Sequence, residues 1–452
     1  RAMERRQIAA PLMVVRGDGT LMSDEFAART PVETIHSGPA ASAMGGRFLS
    51  RLDDMLIVDV GGTTTDLALI HEGQVTVSEE GATVSDYKTA VKAANLLSIA
   101  LGGDSHIALD RENQVKIGPE RVVPLAYLAW KYPQVQSRLK TLSRRTWTQT
   151  SPDFLEYWFL LREPQRETLL KTGREKKLVD LLRNGPLPVP EILKQLDLLH
   201  VAQIGADELL RQEIVGKAGL TPTDLIHVSG GYNPWNVEAA SLALNAFSRH
   251  LFQEPDDLCQ QIWTQVTEAI VEAIVTFLTA KKLSRPTRTD HNDLGFWFFH
   301  NSIYASHSQL ETSFRLHQPI IGIGAPAGIF LKEVAEIFHT ELLLPEHHHV
   351  ANAVGAIAGS VMVSEEILIY PKMSREGLDV IAYYVQASDE RLEFEELNEA
   401  LQHARTLGQE RALGAAVRSG ADNPQLMMEE VVDGLDTYRL RVKAVGNPRL
   451  AK

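Results

Sequence analysis

The chain opens its most regular stretch at residues 55–80, where three short apolar runs alternate with polar turns: Met-Leu-Ile-Val at 55–58, Leu-Ala-Leu-Ile at 67–70 and Val-Thr-Val at 75–77. Runs of this length bounded by turn residues read as strands, and Glu72-Gly73 between the second and third is a hairpin signal, so the segment reads as an antiparallel meander. A loop of Gly and Thr at 61–65 forms its polar tip. The same reading predicts a strand over 11–15, a helix over 89–100, a strand over 224–229 and long helices over 235–251 and 255–282. Beyond them it predicts a strand and glycine turn over 319–328, a helix over 329–338, a strand over 341–344 and a helix over 350–362. The tail, 363–452, reads as strands at 366–370 and 380–385, a helix at 394–419 and a closing hairpin around 431–445: a small α+β unit.

Two predicted helices are crowded with small residues. One, within 31–49, holds Ala40, Ala41, Ser42, Ala43, Gly45 and Gly46; the other, within 350–362, holds Ala351, Ala353, Gly355, Ala356, Ala358 and Gly359. Glycine costs a helix about 1 kcal/mol against alanine, so such clusters imply that another backbone must come close. Residues 119–219 change character to charged, aromatic and helical, with Trp130, Trp147 and Trp158 and basic clusters at Lys140, Arg144 and Arg145 and at Arg174, Lys176 and Lys177. A degenerate helix-turn-helix start at 181–196 lies inside this block, which otherwise reads as a helical insertion.

Composition narrows the class. With 452 residues, 45 basic and 58 acidic side chains and a net charge of −13, the chain has the material for two to four domains and lacks the cationic surplus that phosphate neutralisation on nucleic acid requires. The single cysteine, Cys259, cannot form an internal disulfide, which together with an N-terminus unlike a signal peptide leads to the expectation of a cytoplasmic protein. No run of about 18 uncharged apolar residues occurs, because Glu268 and Glu272 interrupt the nearest, so no membrane partner is expected.

Candidate chemistry lies in glycine-rich loops. There is no Walker A sequence. Gly322-x-Gly324-x-x-Ala327 follows a strand, precedes a helix and is followed by a strand ending near Glu346, the pattern of a dinucleotide fingerprint; Pro326, however, stands where that loop needs free amides. The second loop, Asp-Val-Gly-Gly-Thr-Thr-Thr-Asp at 59–66, combines glycines that let amides approach a polyphosphate, hydroxyls that add donors and two carboxylates able to hold hydrated magnesium or orient a water.

The 59–66 motif resembles the phosphate hairpin of the actin, sugar-kinase and heat-shock-chaperone ATPase superfamily, and the order of small-residue helix, hairpin, glycine turn and second small-residue helix is similar to that of its second lobe. Within the superfamily the chain resembles the hydantoinase/oxoprolinase family, ATP-dependent hydrolases of cyclic amides. The resemblance rests on Pro-Val-Glu-Thr at 31–34, Ser-Gly-Pro-Ala-Ala at 37–41, the 59–66 motif, Gly-Gly-Asp-Ser at 102–105, Gly-Leu-Thr-Pro-Thr-Asp at 219–224, the 322–327 turn, Pro345 and Val-Ala-Asn-Ala-Val-Gly-Ala at 350–356. It implies an α/β fold: a ribonuclease H-like (actin-like ATPase) lobe with a helical insertion and a small C-terminal α+β unit. The implied layout is 1–55, the end of a first lobe and a linking helix; 56–118, the phosphate-hairpin part; 119–219, the insertion; 220–362, the adenosine loop and second linking helix; and 363–452, the α+β domain. Relative to the family, an upstream lobe with its own hairpin is expected to be missing except for closing elements at 1–30.

The resemblance further implies ATP and Mg2+ as cofactors, a small cyclic amide such as 5-oxoproline or a hydantoin as substrate, and a second subunit or oligomer as partner. It assigns Gly61, Gly62, Thr63 and Thr64 to the phosphates, Asp59 and Asp66 to magnesium or catalytic water, Gly322, Gly324 and Ala325 to adenosine, and Gly102, Gly103 and Asp104 to the same cleft. Three or four charge-assisted hydrogen bonds contribute roughly 5 to 10 kcal/mol against an association cost on the order of 4 to 15 kcal/mol, so one lobe alone is expected to hold ATP weakly. Two other readings of the same lobe are an ATP-binding regulatory protein without amide chemistry and a DNA-binding sensor that reads through the 119–219 block. His347, His348 and His349 are consecutive and cannot all face one ion, so no metal is expected there.

Overall fold

The computed structural model describes residues 5–6, 12–78, 83–84, 87–88, 93–110, 112–144, 153–165, 170, 172–280, 283, 293–374, 379–434 and 436–449. Expected features at Pro11, Arg145, Trp147 and residues 89–92 lie outside these. The chain forms two compact units, one of Arg1–Asp54, Ala68–Asn95 and Val350–Lys452, the other of Met55–Leu67 and Leu96–His349.

In the first unit the C-terminal sheet is joined from the start of the chain. Met13–Val15 pairs with Leu21–Ser23, which meets the long strand Val361–Met373 at Val361. The first part of that strand pairs with Thr437–Pro448 and its end with Val380–Gln386. Helix Leu397–Arg418 lies on this sheet through a stripe of small residues four apart, Ala400, Ala404, Gly408, Ala412 and Ala416, all buried. Four-residue spacing puts them on one face, and their size lets the helix axis approach the strands. The predicted α+β tail is therefore present, with a sheet that also takes in residues 13–23.

The two small-residue helices, Ser37–Ser50 and Ala351–Ala358, cross within this same unit. A Cβ added at Gly45 would overlap the carbonyl oxygen of Ala351, and one at Gly355 would overlap that of Ala41. Asn352 Nδ2 donates across the crossing to Gly38 O at 2.9 Å and to Ser42 Oγ at 3.0 Å. The second helix ends at Ala358, short of the predicted 362, because Gly359 turns the backbone extended and Val361 enters the sheet.

The second unit holds the strands Leu96–Ile99, Met55–Val60, Ile320–Ile323 and Leu342–Leu343 and the start of Thr65–His71, which lies between the first two. Ile320–Ile323 runs parallel to Met55–Val60, with Ile323 opposite Asp59. Leu56, Val58 and Val60 are fully buried against Val266, Ile270 and Ile274 of helix Pro255–Thr279 and against Phe330 and Val334. Each such side chain contributes roughly 1.5 to 3 kcal/mol of burial free energy. This explains the apolar composition of Pro255–Thr279, which by length and hydropathy alone would suffice to cross a membrane: one of its faces is core.

Four expectations about local structure are corrected. Of the helix predicted at 89–100, the described residues form strands, Ala93–Ala94 and Leu96–Ile99, the latter an edge of the sheet; sheet pairing overrides a helical propensity worth only tenths of a kcal/mol per residue. The strand predicted at 224–229 is helix Pro222–Val228, started by a capping box in which Thr221 and Asp224 bond each other's amides. The helix predicted at 329–338 is two short ones, Ala327–Phe330 and Lys332–Ile337. The block at 119–219 carries helices together with a four-stranded sheet ordered Val123–Pro124, Val215–Gly219, Tyr157–Leu160, Leu187–Pro188, whose strand Leu187–Pro188 falls between the two halves of the degenerate helix-turn-helix pattern.

Candidate functional site

The site forms where the parallel strands Met55–Val60 and Ile320–Ile323 end, inside the second unit. Gly61 N–H donates to Thr64 O at 2.9 Å and closes the tip between the hairpin strands. Gly103 N–H donates to Gly61 O at 2.9 Å and Asp104 N–H to Gly62 O at 2.7 Å, so the 102–105 loop lies directly against the tip. A Cβ on Gly102 would stand 2.6 Å from Gly61 O, which is why that position is glycine. Thr65 Oγ1 donates to Leu101 O at 2.8 Å and fastens the loop from its other side.

These bonds use the tip's carbonyls. Among the described residues, no acceptor is bonded to the amides of Gly62, Thr63 and Thr64. Thr63 is exposed, and Thr64 Oγ1 donates to Asp66 Oδ2 at 3.1 Å. Successive backbone amides without an internal acceptor can serve as donors to phosphate oxygens.

The glycine turn arrives from the neighbouring strand. Gly324 has φ +90°, and a Cβ there would overlap Val60 O and come within 3.1 Å of Asp59 Oδ1, so the turn sits beside the hairpin's first carboxylate. Gly324 N–H is satisfied by His348 O at 3.0 Å, Ala325 is exposed, and Pro326 lies 3.8 Å from a Cβ built on Gly103. The structure thus brings together Asp59, Gly61, Gly62, Gly102, Gly103, Asp104, Gly324 and Ala325. Gly322 is set apart from them: it is buried within its strand, where a Cβ would meet Leu331, Leu342 and Leu344, and its smallness serves packing.

Several residues that sequence reasoning gave no role belong to the constellation. Arg121 donates to Asp104 Oδ2 through Nε at 3.1 Å and Nη2 at 2.9 Å. Burial raises the Asp104 carboxyl above the ordinary range, against the opposing pull of this guanidinium. Thr223 donates to Gly103 O through its amide at 2.9 Å and its hydroxyl at 2.7 Å. Next to it, fully buried Asp224 accepts from Leu125 N, Ala126 N, Thr221 N and Thr221 Oγ1 and so ties the start of helix Leu125–Lys131 to helix Pro222–Val228. The Gly-Leu-Thr-Pro-Thr-Asp run carried a signal for Thr223 and Asp224; Arg121, on a strand 17 residues from its partner, carried none.

Burial outweighs the four hydrogen bonds and pushes the Asp224 carboxyl up to about 6 from 3.8. A carboxyl whose folded value lies above its unfolded one holds its proton longer in the folded state, so stability from this group is greatest below pH 4 and falls as pH rises from about 4 to about 6. A two-unit displacement corresponds to a factor of about one hundred in the folding constant. Urea unfolding at pH 4.5 and 6.5 is expected to show the stability of wild type relative to Asp224→Asn declining across this interval; an unchanged difference would place the folded value near that of an ordinary aspartate.

Against known proteins, residues 1–125 match a model of the hydantoinase/oxoprolinase family. The match takes in the first small-residue helix, the hairpin and the 102–105 loop and ends before the 322–328 turn. The acetone carboxylase beta subunit of Xanthobacter autotrophicus is 27% identical over 117 residues, 24% of this chain and 16% of that protein. The caprolactamase subunit alpha of Pseudomonas jessenii is 26% identical over 112 residues, again 24% and 16%. A nucleotide-free structure of acetone carboxylase superposes with a TM-score of 0.53 at 13% identity, covering 99% of this chain and 54% of that one. The chain therefore spans about half the length of that solved relative. At this level the likeness establishes a shared fold, which is mixed α/β.

Proposed function

We propose, from the match of residues 1–125 to the hydantoinase/oxoprolinase family model, that this chain is the ATP-handling part of an enzyme that activates a carbonyl oxygen by phosphorylation, and specifically one that hydrolyses a cyclic amide. The observation that carries this reading is the row of amides at Gly62, Thr63 and Thr64, bonded to no acceptor among the described residues, at a tip whose carbonyls are held by the 102–105 loop. In this reading those groups hold the phosphates and the turn at Gly324 and Ala325 contacts adenosine. The site also fits magnesium: that ion takes one or two carboxylates plus phosphate oxygens, and Asp59 and Asp66 flank the tip. Magnesium, when bound, neutralises charge on the phosphates.

An unstrained amide is a poor electrophile, and phosphorylating its oxygen supplies the missing reactivity. The carbonyl oxygen forms a bond to the γ-phosphorus as the bond to the bridging oxygen breaks, and ADP leaves with that electron pair. Loss of the N–H proton gives an O-phosphoryl imidate. Water adds to its carbon, the C–N bond breaks with the nitrogen taking a proton, and a second water releases phosphate from the acyl phosphate. The sum is amide, ATP and two waters to amino acid, ADP and phosphate. Phosphoryl transfer asks a protein mainly for positioning and charge neutralisation, which the cradle and its carboxylates are suited to supply.

Both curated relatives are named as subunits, which supports a second subunit as partner in the complete reaction. The test is ADP release by the complete protein with and without added lactam: lactam-dependent release supports the hydrolase, and ATP binding with no carbonyl-dependent turnover would favour a regulatory ATP-binding protein.

A further inference from the structure

Beside the phosphate cradle, within the same unit, opens a cleft of about 560 Å3. Asp104 and Arg121 form its inner end and belong to both features: Asp104 bonds the hairpin tip through its amide and faces the cleft with its side chain. Arg121 Nη2 lies 3.8 Å from a Cβ built on Gly62, so the guanidinium stands at the junction.

The cleft's charges are already spent on each other. Arg121 is bound to Asp104, and Lys217 Nζ lies 2.7 Å from Glu120 and 3.4 Å from Glu156. His106, with Lys217 behind it, holds the Glu120 carboxyl down at about 2 against its burial, so this group stays ionised. Glu213 adds a third carboxylate to the lining. Among the described lining residues there are thus two cations, both paired, and three acids. The same arrangement argues against a metal at His106, Glu120 and Glu156, whose ligand atoms lie within 4.8 Å of one another, since the Lys217 ammonium occupies the cation's place between the two carboxylates.

The remaining wall is apolar. Tyr127 and Trp235 meet edge to face with ring centroids 5.1 Å apart, and Leu161 and Val215 face the same space. Rings and aliphatic carbons favour an uncharged, partly apolar molecule, whereas an added carboxylate would meet a net negative lining with no free cation to receive it.

Building on the reading above, we propose that this cleft is the acceptor site of the phosphoryl transfer and that it selects uncharged cyclic amides over carboxylate-bearing ones, the ring resting on Tyr127 and Trp235 and the carbonyl end turned toward Asp104 and Arg121.

The probes are 2-piperidone and its 6-carboxylate, titrated into the complete nucleotide-free protein and followed by saturation-transfer NMR. Wild type is expected to bind 2-piperidone at least about tenfold more tightly than the carboxylate. Leu161→Trp, which fills the cleft from a half-exposed position, is expected to weaken 2-piperidone at least tenfold while the MgATP dissociation constant stays within twofold. Glu213→Gln, an exposed change that leaves the fold intact if the Trp variant does not, is expected to narrow the discrimination between the probes. Equal or tighter binding of the carboxylate, or 2-piperidone binding indifferent to both substitutions, would overturn the proposal. Failure of MgATP to bind wild type would instead count against the phosphate cradle and leave the lactam titration to decide the cleft.

Discussion

Gly355→Ala is expected to lower the melting temperature by about 10 °C or more, a loss on the order of 3 to 5 kcal/mol for a unit of this size. The two small-residue helices touch backbone to backbone at this point. A methyl at 355 would overlap Ala41 O and stand 2.7 Å from Gly45 N and 2.8 Å from Ala41 C. No rotamer change relieves contacts with backbone atoms, so the helices must separate, stretching the bonds from Asn352 to Gly38 O and Ser42 Oγ. Overpacking of this kind costs more than the helix propensity that alanine would add. Gly45→Ala should behave alike, because its Cβ would meet Ala351 O in the reciprocal clash. Gly38→Ala is the internal control: nothing lies within 4 Å of its Cβ, and it should melt within about 2 °C of wild type or slightly above. Thermal unfolding followed by circular dichroism compares the three, and a Gly355→Ala protein as stable as wild type would show that the helices do not approach as described.

Asp59→Asn is expected to reduce carbonyl-dependent ADP release about a thousandfold or more, equivalent to roughly 4 kcal/mol of lost transition-state stabilisation. Asp59 is the last residue but one of the strand that feeds the hairpin and lies beside the Gly324 turn, where the proposed phosphate and adenosine contacts converge. The amide keeps the size of the carboxylate and removes its charge, so a chemical role and a packing role separate: turnover should collapse while the melting temperature changes by no more than a few degrees. Near-normal turnover would remove Asp59 from the chemistry, and a large drop in melting temperature with turnover lost in proportion would make it a structural residue.

Much of this site was legible in the sequence, and the reasons are local. The hairpin at 59–66 announces itself because strand, glycine, threonine and strand follow within a dozen residues. The helix crossing was legible because close approach leaves a mark on each partner separately, in Gly45 and Gly355. Other features depend on where the fold carries residues far apart in sequence. Nothing near Arg121 indicates that Asp104 is its partner, and nothing near Leu161 indicates that it shares a cleft with Trp235. Gly322 shows the converse: it matches a nucleotide-loop pattern by spacing, yet it is buried in its strand and a Cβ there would meet Leu331, Leu342 and Leu344. The strands at 93–99 and the sheet inside 119–219 were missed because their edges are completed by distant segments, such as Val215–Gly219 pairing with Tyr157–Leu160, and pairing partners outweigh local propensity.

The central claim is that the amides at the tip of the 59–66 hairpin receive the phosphates of ATP. Hydrogen exchange of the complete protein, measured by mass spectrometry with and without saturating MgATP, tests it directly. Slowed exchange in peptides spanning 59–66, with slowing also at 102–105, is the predicted result; unchanged exchange in these peptides at saturation, with protection appearing elsewhere in the chain, would contradict the account.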